Sequence, residues 1–257
     1  MTAMYLAGGG GRYKATEYTQ GPWDPGTQHL GPVAGLLVHE LHRTAPRPGL
    51  SPARLAVDVF APVPVAEVQV VTDVVRDGKR VQCLSASLTS GGREYVRATA
   101  WRIREGDTPA GPVAPPPAPV PPPAPPAPDS WFSGGFGYGR ATDWRFVAGS
   151  PDEPGPATAW GRTRVPLVEG EEPTPLERVA ILADSGNGIS GAVSFHTHLF
   201  VNVDLVISLF REPAGEWVGL DSATTIGPAG RGLTRTVLYD ETGEIGQAAQ
   251  TLFVAPR

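Results

Sequence analysis

Asp204 and Gln250 are the two polar residues whose sequence surroundings bear most directly on chemistry. Asp204 lies in the segment 201–209, whose odd-numbered residues are all apolar and whose even-numbered residues include Asn202 and Asp204. Strict alternation predicts a half-buried strand, so these two polar side chains are expected on its solvated face. Gln250 instead interrupts an apolar row on the last predicted strand. A buried amide must find hydrogen-bond partners, which favours a site at Gln250.

Other chemistry-bearing patterns carry weaker signals. The segment 39–42 reads His-Glu-Leu-His, which is not His-Glu-x-x-His, so an exposed helix end is favoured over a metal site. Asp184 precedes Ser185 and a glycine, which predicts a capping or turn role. The glycine run 8–11 has no following Lys, and the chain contains no Gly-x-Ser-x-Gly. A phosphate-binding loop and an α/β-hydrolase nucleophile are therefore both disfavoured.

Composition and net charge disfavour several classes of protein. The 257 residues carry a net charge of −5, and 40 % of them are hydrophobic. A folded core is expected, whereas a nucleic-acid-binding protein would need a basic face. No apolar run approaches the length of a membrane span, and residues 1–11 lack the pattern of a secretory signal. The lone Cys83 excludes an intrachain disulfide, so a cytoplasmic protein without a membrane or nucleic-acid partner is expected.

A proline-rich segment divides the chain. Residues 108–128 contain twelve prolines and otherwise almost only Ala, Gly and Val. Such a composition predicts a semi-rigid polyproline II spacer rather than a docking ligand. We therefore predict an N-terminal domain at 1–106, a linker at 107–129 and a C-terminal domain at 130–257.

The two halves repeat the same order of predicted elements, a helix followed by four antiparallel strands. Turn residues such as Asp77-Gly78 separate the strand patterns. Pro64 and Pro213 occupy matching places when the halves are superposed, which indicates an internal duplication. The predicted helices span 32–43 and 174–183, and the predicted strands span 54–60, 65–75, 80–89, 94–103, 160–165, 199–210, 216–226, 233–239 and 244–254.

Several short segments, taken in their order, resemble the double hotdog acyl-CoA thioesterases of the thioesterase II type. These segments are 31–37 (Gly-Pro-Val-Ala-Gly-Leu-Leu), 60–64 (Phe-Ala-Pro-Val-Pro), 76–82, 182–188, 202–204, 215–217 and 246–250. The resemblance implies an α+β fold in which two tandem helix-wrapped antiparallel sheets form a pseudo-dimer, joined edge to edge. It also implies hydrolysis of an acyl-CoA or acyl-carrier thioester without metal or other cofactor, and it allows a homo-oligomer of the pseudo-dimer.

The same resemblance implies the residues that hold the attacking water. The family's Asp falls on Asp204 as general base, its Gln falls on Gln250, and its hydroxyl falls on Thr225, with Thr224 as the alternative. Superposition places Leu55 opposite Asp204 and Ala100 opposite Gln250 in the first half. The first half therefore lacks the polar set, and one active site per chain is expected.

The start of the first helix is the expected substrate-binding region. Gly31 and Gly35 leave room for a thioester, and helix N-terminal N–H groups can hold its oxygen. His29 precedes this helix, while Pro32 removes one N–H donor where relatives often carry His-Gly-Gly. The acyl chain is expected between the two hotdogs.

Alternatives remain open at this point. Glu40 or Asp184 would be a helix-borne base if Asp204 were not the catalytic carboxylate. Another double-hotdog activity, such as a hydratase or a biosynthetic enzyme, and a non-catalytic acyl-binding protein are the alternative functions.

Overall fold

The computed structural model describes residues 3–106 and 134–257, which form thirteen strands and a few helices. The predicted linker, 107–129, lies outside the described residues. The first half contains β1 (Tyr5–Gly9), β2 (Arg12–Ala15), α1 (Leu30–Arg43), β3 (Leu50–Val59), β4 (Glu67–Asp77), β5 (Val81–Ser90) and β6 (Arg93–Arg104). The second contains α2 (Gly137–Ala141), β7 (Thr142–Ala148), β8 (Ala157–Thr163), α3 (Pro175–Ala183), α4 (Gly186–Ile189), β9 (His198–Asn202), β10 (Asp204–Leu209), β11 (Val218–Ile226), β12 (Arg231–Asp240) and β13 (Gly243–Pro256).

All of these strands belong to one antiparallel sheet. Its order is β1-β2-β4-β5-β6-β3-β10-β13-β12-β11-β8-β7, with β9 paired to β13 outside this path. The two halves meet where β3 pairs with β10, and the order on one side of that junction mirrors the order on the other. The predicted edge-to-edge junction is therefore confirmed, whereas the division into two domains stays a prediction.

Helices α1 and α3 pack against each other in antiparallel fashion. Gly31 of α1 lies against Ile181, while His39, two turns later, lies against Glu177 near the start of α3. Helix α3 begins with a capping box, because the Thr174 hydroxyl accepts from the Glu177 N–H and the Glu177 carboxylate accepts from the Thr174 N–H. The C-terminal end of each helix consequently lies beside the N-terminal end of the other.

The sequence prediction missed part of the strand set. β1, β2 and β7 were not predicted, since glycine and polar residues interrupt their short segments. The predicted strand at 199–210 is divided into β9 and β10 at Val203. Asn202 pairs with Leu252, whereas Val206 pairs with Ala249, so Val203 is one extra residue relative to β13. This is a β-bulge, and it reverses the faces of the residues before it.

Strand pairing shows which residues of the two halves correspond. Val70 pairs with Leu88, and Leu220 pairs with Leu238 in the same way. The β3–β6 and β10–β13 registers are related by the same spacing of 150 residues. Ala100 therefore corresponds to Gln250, as predicted. The prediction that Leu55 corresponds to Asp204 is wrong by one position, because a 150-residue spacing pairs Leu55 with Leu205.

Arg102 of β6 holds the C-terminal end of α1 against the sheet. Its guanidinium group donates to the backbone oxygens of Leu41 (2.6 Å), His42 (3.1 Å), Thr44 (3.0 Å) and Ala45 (3.2 Å). The last carbonyl groups of a helix have no partner within the helix, so this buried arginine satisfies them. It thereby fixes the position at which α1 ends.

Replacing Arg102 with Met should lower the free energy of unfolding by about 1–3 kcal/mol, because buried carbonyl groups lose their donors. Urea denaturation measures the loss. Arg104→Met on the same strand is the matched control, since Arg104 is exposed. Equal destabilisation by the two substitutions would contradict the capping role.

Candidate active site

Asp184 lies at the centre of a buried polar cluster. It ends α3, and only 2 % of its surface is exposed. Its Oδ1 accepts hydrogen bonds from Asn202 Nδ2 (3.0 Å) and Gln250 Nε2 (3.2 Å), and its Oδ2 lies 2.9 Å from His29 Nδ1. Four elements therefore converge on one carboxylate: α3, β9, β13 and the residue before α1.

Gln250 is held in one orientation by this cluster. Its Nε2 also donates to the backbone oxygen of Asp184 (3.0 Å), and its Oε1 accepts from the backbone N–H of Asn187 (3.1 Å) in α4. The side chain is buried, as the apolar row around it predicted. Gly186 leaves space here, because a Cβ atom at that position would lie close to Gln250 Oε1 and Thr236 Oγ1.

The alternating sequence pattern predicts the wrong face of the sheet for Asn202. The pattern put Asn202 and Asp204 together on the solvated side of one strand. The bulge at Val203 separates them, so Asn202 pairs with buried Leu252 and faces Asp184. The sequence gives little sign of the bulge at Val203, because a bulge of one residue leaves the apolar pattern on either side intact.

Asp184 itself was interpreted from its sequence as a cap. One signal against that interpretation was available: carboxylates are disfavoured at helix C-terminal ends, where the helix dipole is negative. A carboxylate placed there needs several donors. Asp184 has them in His29, Asn202 and Gln250.

The structure does not bring Asp204 to Gln250. Asp204 is the first residue of β10, and its Oδ1 accepts from the backbone N–H of Thr251 (2.6 Å). Leu205, next along the strand, is buried on the helix-facing side, as is Gln250. Because side chains alternate along a strand, Asp204 lies on the opposite side of the sheet. The predicted grouping of Asp204 with Gln250 is therefore wrong.

Thr225 also lies on the opposite side of the sheet, so its predicted place beside Gln250 is wrong. Thr225 pairs with exposed Leu233 and is itself exposed. Thr224 has the correct face, since its hydroxyl bonds to the hydroxyl of Thr234 (2.7 Å), the residue paired with Gln250. Thr224 also bonds to Ser190 (2.9 Å), and these hydroxyl groups form a polar row next to the Asp184 cluster.

The three predicted substrate-binding residues have different surroundings. His29 contacts Asp184, and its ring stacks on Tyr138 at a centroid distance of 4.0 Å. Gly31 lies in the first turn of α1, beside His29 and the backbone of Ile181. Gly35 packs against the side chain of Ile181, where a Cβ atom would collide with α3. The close packing of α1 on α3 is therefore sufficient to explain why a glycine occupies position 35.

The Nδ1 atom of His29 has two competing partners. It can accept a hydrogen bond from the Gly31 N–H (3.0 Å), or it can carry a proton and donate to Asp184. One nitrogen cannot do both at once, so the tautomer or charge of His29 decides which bond forms. When Nδ1 donates to Asp184, the Gly31 N–H is free to bind another acceptor.

Glu40 and the neighbouring histidines lie outside this cluster. Glu40 accepts a hydrogen bond from the Tyr13 hydroxyl, and His39 pairs with buried Glu177 (3.0 Å). Burial by itself would raise the pKa of Glu177, but hydrogen bonds from His39 and the Thr174 N–H outweigh burial and lower it. Within residues 3–106 and 134–257, no group of three or more His, Cys, Asp or Glu side chains could hold a metal ion.

Family models match both halves of the chain. The acyl-CoA thioesterase N-terminal domain matches residues 19–103, and the acyl-CoA thioesterase C-terminal domain matches residues 112–254. The chain belongs to the acyl-CoA thioesterase family. It is therefore a thioester hydrolase, as the sequence segments predicted. Among curated proteins, none matches the sequence significantly.

Solved structures of low sequence identity share the fold. A hot dog fold protein of unknown function from Alicyclobacillus acidocaldarius has a TM-score of 0.72 at 16 % identity, covering 98 % of this chain and 96 % of its own. The acyl-CoA thioesterase II TesB2 from Mycobacterium marinum has a TM-score of 0.70 at 17 % identity, covering 96 % and 92 %. The tesB protein of Mycobacterium avium subs paratuberculosis gives 0.70 at 13 % identity, covering 98 % and 96 %. These similarities show that the chain has the hotdog fold.

The thioesterase also lacks a membrane-spanning helix in its described part. None of the helices within residues 3–106 and 134–257 has the length and apolar character needed to cross a bilayer.

Proposed function

We propose that this thioesterase hydrolyses an acyl-CoA to a free acid and coenzyme A, with Asp184 as the general base. The observation that supports this most directly is the convergence of His29, Asn202 and Gln250 on one buried carboxylate. Asp204, the base that the family resemblance implied, lacks such a setting. The two halves then act as a pseudo-dimer with a single active site.

Asp184 can accept a proton while its neighbours hold the water. Three donors occupy part of the carboxylate's acceptor capacity, and an ionised carboxylate has about four lone-pair positions, so one remains for a water molecule. Asn202 and Gln250 are amides that can align this water without taking its proton. In this proposal Asn202, rather than Thr225, positions the attacking water together with Gln250.

The reaction then proceeds in two steps. The water oxygen attacks the thioester carbonyl carbon while its proton moves to Asp184, which gives a tetrahedral oxyanion. The oxyanion collapses, the C–S bond breaks, and the departing sulfur takes the proton from Asp184. The carboxylate is restored, and the products are the acid and the thiol.

Gly31 is the proposed oxyanion donor. Its N–H lies in the first turn of α1, where the helix dipole favours negative charge. Pro32 has no N–H, so Gly31 is more important here than in a helix with consecutive donors. When the His29 proton is directed to Asp184, the Gly31 N–H is free to bind the thioester oxygen. His29 therefore links the proposed base, Asp184, to the proposed oxyanion donor, Gly31.

A thiol-release assay tests this function. The purified chain is incubated with a series of acyl-CoA thioesters of increasing chain length, and free coenzyme A is measured with a thiol reagent. We expect turnover that is fastest at one chain length. Absence of turnover throughout the series, with acyl-CoA still bound, would instead support the non-catalytic alternative.

Gln250→Ala should reduce kcat by about tenfold to a hundredfold, since a hydrogen bond to a charged group is worth about 1.5–3 kcal/mol. Gln247→Ala is the matched control, because Gln247 is the same residue type on the same strand but faces solvent. The control should keep wild-type kcat. Equal rates for the two variants would remove Gln250 from the mechanism.

A further inference from the structure

Two buried histidine–carboxylate pairs join α1 to α3, one at each end of the antiparallel helix pair. His29 Nδ1 lies 2.9 Å from Asp184 Oδ2 at one end, and His39 Nδ1 lies 3.0 Å from Glu177 Oε1 at the other. His29 caps the start of α1 and Asp184 caps the end of α3, whereas His39 and Glu177 lie within the two helices. His39 and Glu177 are each only 3 % exposed. The second pair is therefore as well shielded from water as the proposed base.

Glu177 is fixed through both of its carboxylate oxygens. Oε1 bonds to His39, and Oε2 accepts from the Thr174 N–H (2.7 Å) in the capping box. Burial alone would raise the pKa of Glu177, but these hydrogen bonds lower it, so the carboxylate is ionised near neutral pH. Because an ionised carboxylate only accepts, the proton of this bond lies on His39 Nδ1.

The pair at the reacting end cannot be held in the same way. His29 Nδ1 has the Gly31 N–H as a competing partner at 3.0 Å, and in the proposed reaction Asp184 takes up and releases a proton. Its bond to His29 therefore changes during every turnover. The bond between His39 and Glu177 takes no part in the reaction and can stay intact throughout.

Between the two pairs, the helices meet at glycine residues. Gly31 and Gly35 lie against Ile181, and His39 follows four residues later on the same face of α1. Because these glycines carry no side chains, α1 has nothing at this contact that interlocks with α3. The orientation of α3 on α1 consequently depends on the contacts at its ends. Helix α3 has nine residues and is about 13 Å long, so a tilt at Glu177 displaces Asp184.

We propose that His39 is a positioning residue for the hydrolysis: by holding Glu177, it keeps Asp184 in place beside His29 and the attacking water. This inference rests on the proposed role of Asp184. A misplacement of about 1 Å at a reacting group can lower a rate by about a hundredfold. His39 acts through α3 and not on the substrate, so it affects kcat and not KM.

Two substitutions at position 39 separate the hydrogen bond from the space that the ring fills. The Nδ2 of His39→Asn lies near the position of the ring Nδ1 and can donate to Glu177, whereas His39→Leu fills similar space without a donor. His39→Leu should lower kcat by about tenfold to a hundredfold and keep KM within about twofold of wild type. His39→Asn should keep kcat within about threefold. His42→Leu, at an exposed histidine of the same helix, is the matched control and should change neither constant.

A variant destabilised elsewhere distinguishes positioning from loss of stability. Asp240→Asn alters a buried carboxylate outside the helix pair and should keep wild-type kcat below its melting transition. If His39→Leu does not fold, His39→Gln replaces it, because its amide lies near the ring Nε2 and cannot reach Glu177. Equal kcat losses in His39→Leu and His39→Asn, or in His39→Leu and Asp240→Asn, would refute the positioning role.

The NMR signals of the His29 ring test the same role without turnover. The chain has five histidines, and His29→Gln identifies the signals of this one. His29 lies about 15 Å along α1 from position 39, too far for the substituted side chain to touch it. His39→Leu should shift the His29 signals, and His39→Asn should leave them close to those of the wild type.

The NMR result and the kinetic result fail independently. Unchanged His29 signals in folded His39→Leu would overturn the positioning role, whatever its kcat. Shifted signals with wild-type kcat would show that the position of the helix end does not matter for the reaction, which also contradicts the proposal. If the wild type hydrolysed no acyl-CoA, the proposed function would fail, and the His29 signals would still decide whether His39 positions the helix pair.

Discussion

Asp184→Asn should lower kcat for acyl-CoA hydrolysis by about 10²–10⁴-fold, the range typical of a lost general base. The substitution keeps the size of the side chain but removes the group that accepts the water proton. Steady-state thiol release at saturating substrate measures the effect. Because Asp184 also receives hydrogen bonds from Asn202 and Gln250, melting curves must show that the variant remains folded.

Asp204→Asn is the matched control, with the same chemical change on the other side of the sheet. Its carbonyl oxygen can still accept from the Thr251 N–H, so kcat should stay within about twofold of wild type. If Asp204→Asn abolished turnover while Asp184→Asn retained it, the base implied by the family resemblance would be correct. The proposed role of Asp184 would then be wrong.

Asp240→Asn should lower the free energy of unfolding by about 1.5–3 kcal/mol, because it weakens the hydrogen bonds between a buried carboxylate and a partly exposed arginine. Only 1 % of Asp240 is exposed. Its carboxylate accepts from two nitrogens of Arg211 (2.5 and 2.6 Å), from the Ala214 N–H (3.0 Å) and from the N–H and hydroxyl of Thr242 (2.8 and 2.7 Å). Removing the negative charge leaves Arg211 without its partner at the turn between β12 and β13. Urea denaturation near neutral pH measures this loss.

The pH dependence of stability gives a second measure of Asp240. Burial alone would raise the pKa of this carboxyl, but hydrogen bonds from Arg211 and Thr242 outweigh burial and hold it well below its usual range. A depressed folded-state pKa stabilises the fold above the unfolded pKa, and this contribution is lost as pH falls. The stability difference between wild type and Asp240→Asn should therefore shrink below about pH 4.

An exposed aspartate provides the control for that experiment. Asp221→Asn removes a carboxylate of β11 whose Oδ1 accepts from the Thr158 hydroxyl at the surface. Its effect should be below about 0.5 kcal/mol at every pH. A pH-independent difference for Asp240→Asn, or an equal loss for Asp221→Asn, would contradict the assigned charge interaction.

The sequence by itself determined the repeated architecture of this thioesterase. The four strands predicted after each helix follow from alternation and turn residues. Their positions agree to within a few residues with β3–β6 in the first half and, with β9 and β10 taken together as the one predicted strand 199–210, with β9–β13 in the second. The apolar row around Gln250 indicated that this residue is buried, and superposition of the two halves matched it with Ala100. These features are local, because period and turn chemistry act over a few residues.

Tertiary structure alone decided which carboxylate meets Gln250. The bulge at Val203 turns Asn202 inward and leaves Asp204 outside, and no local pattern marks that extra residue. Antiparallel packing of α1 on α3 places His29 beside Asp184, although the two residues are far apart in sequence. Since a strand has a side-chain period of two, one inserted residue exchanges its faces, and only the pairing with β13 fixes where that exchange occurs.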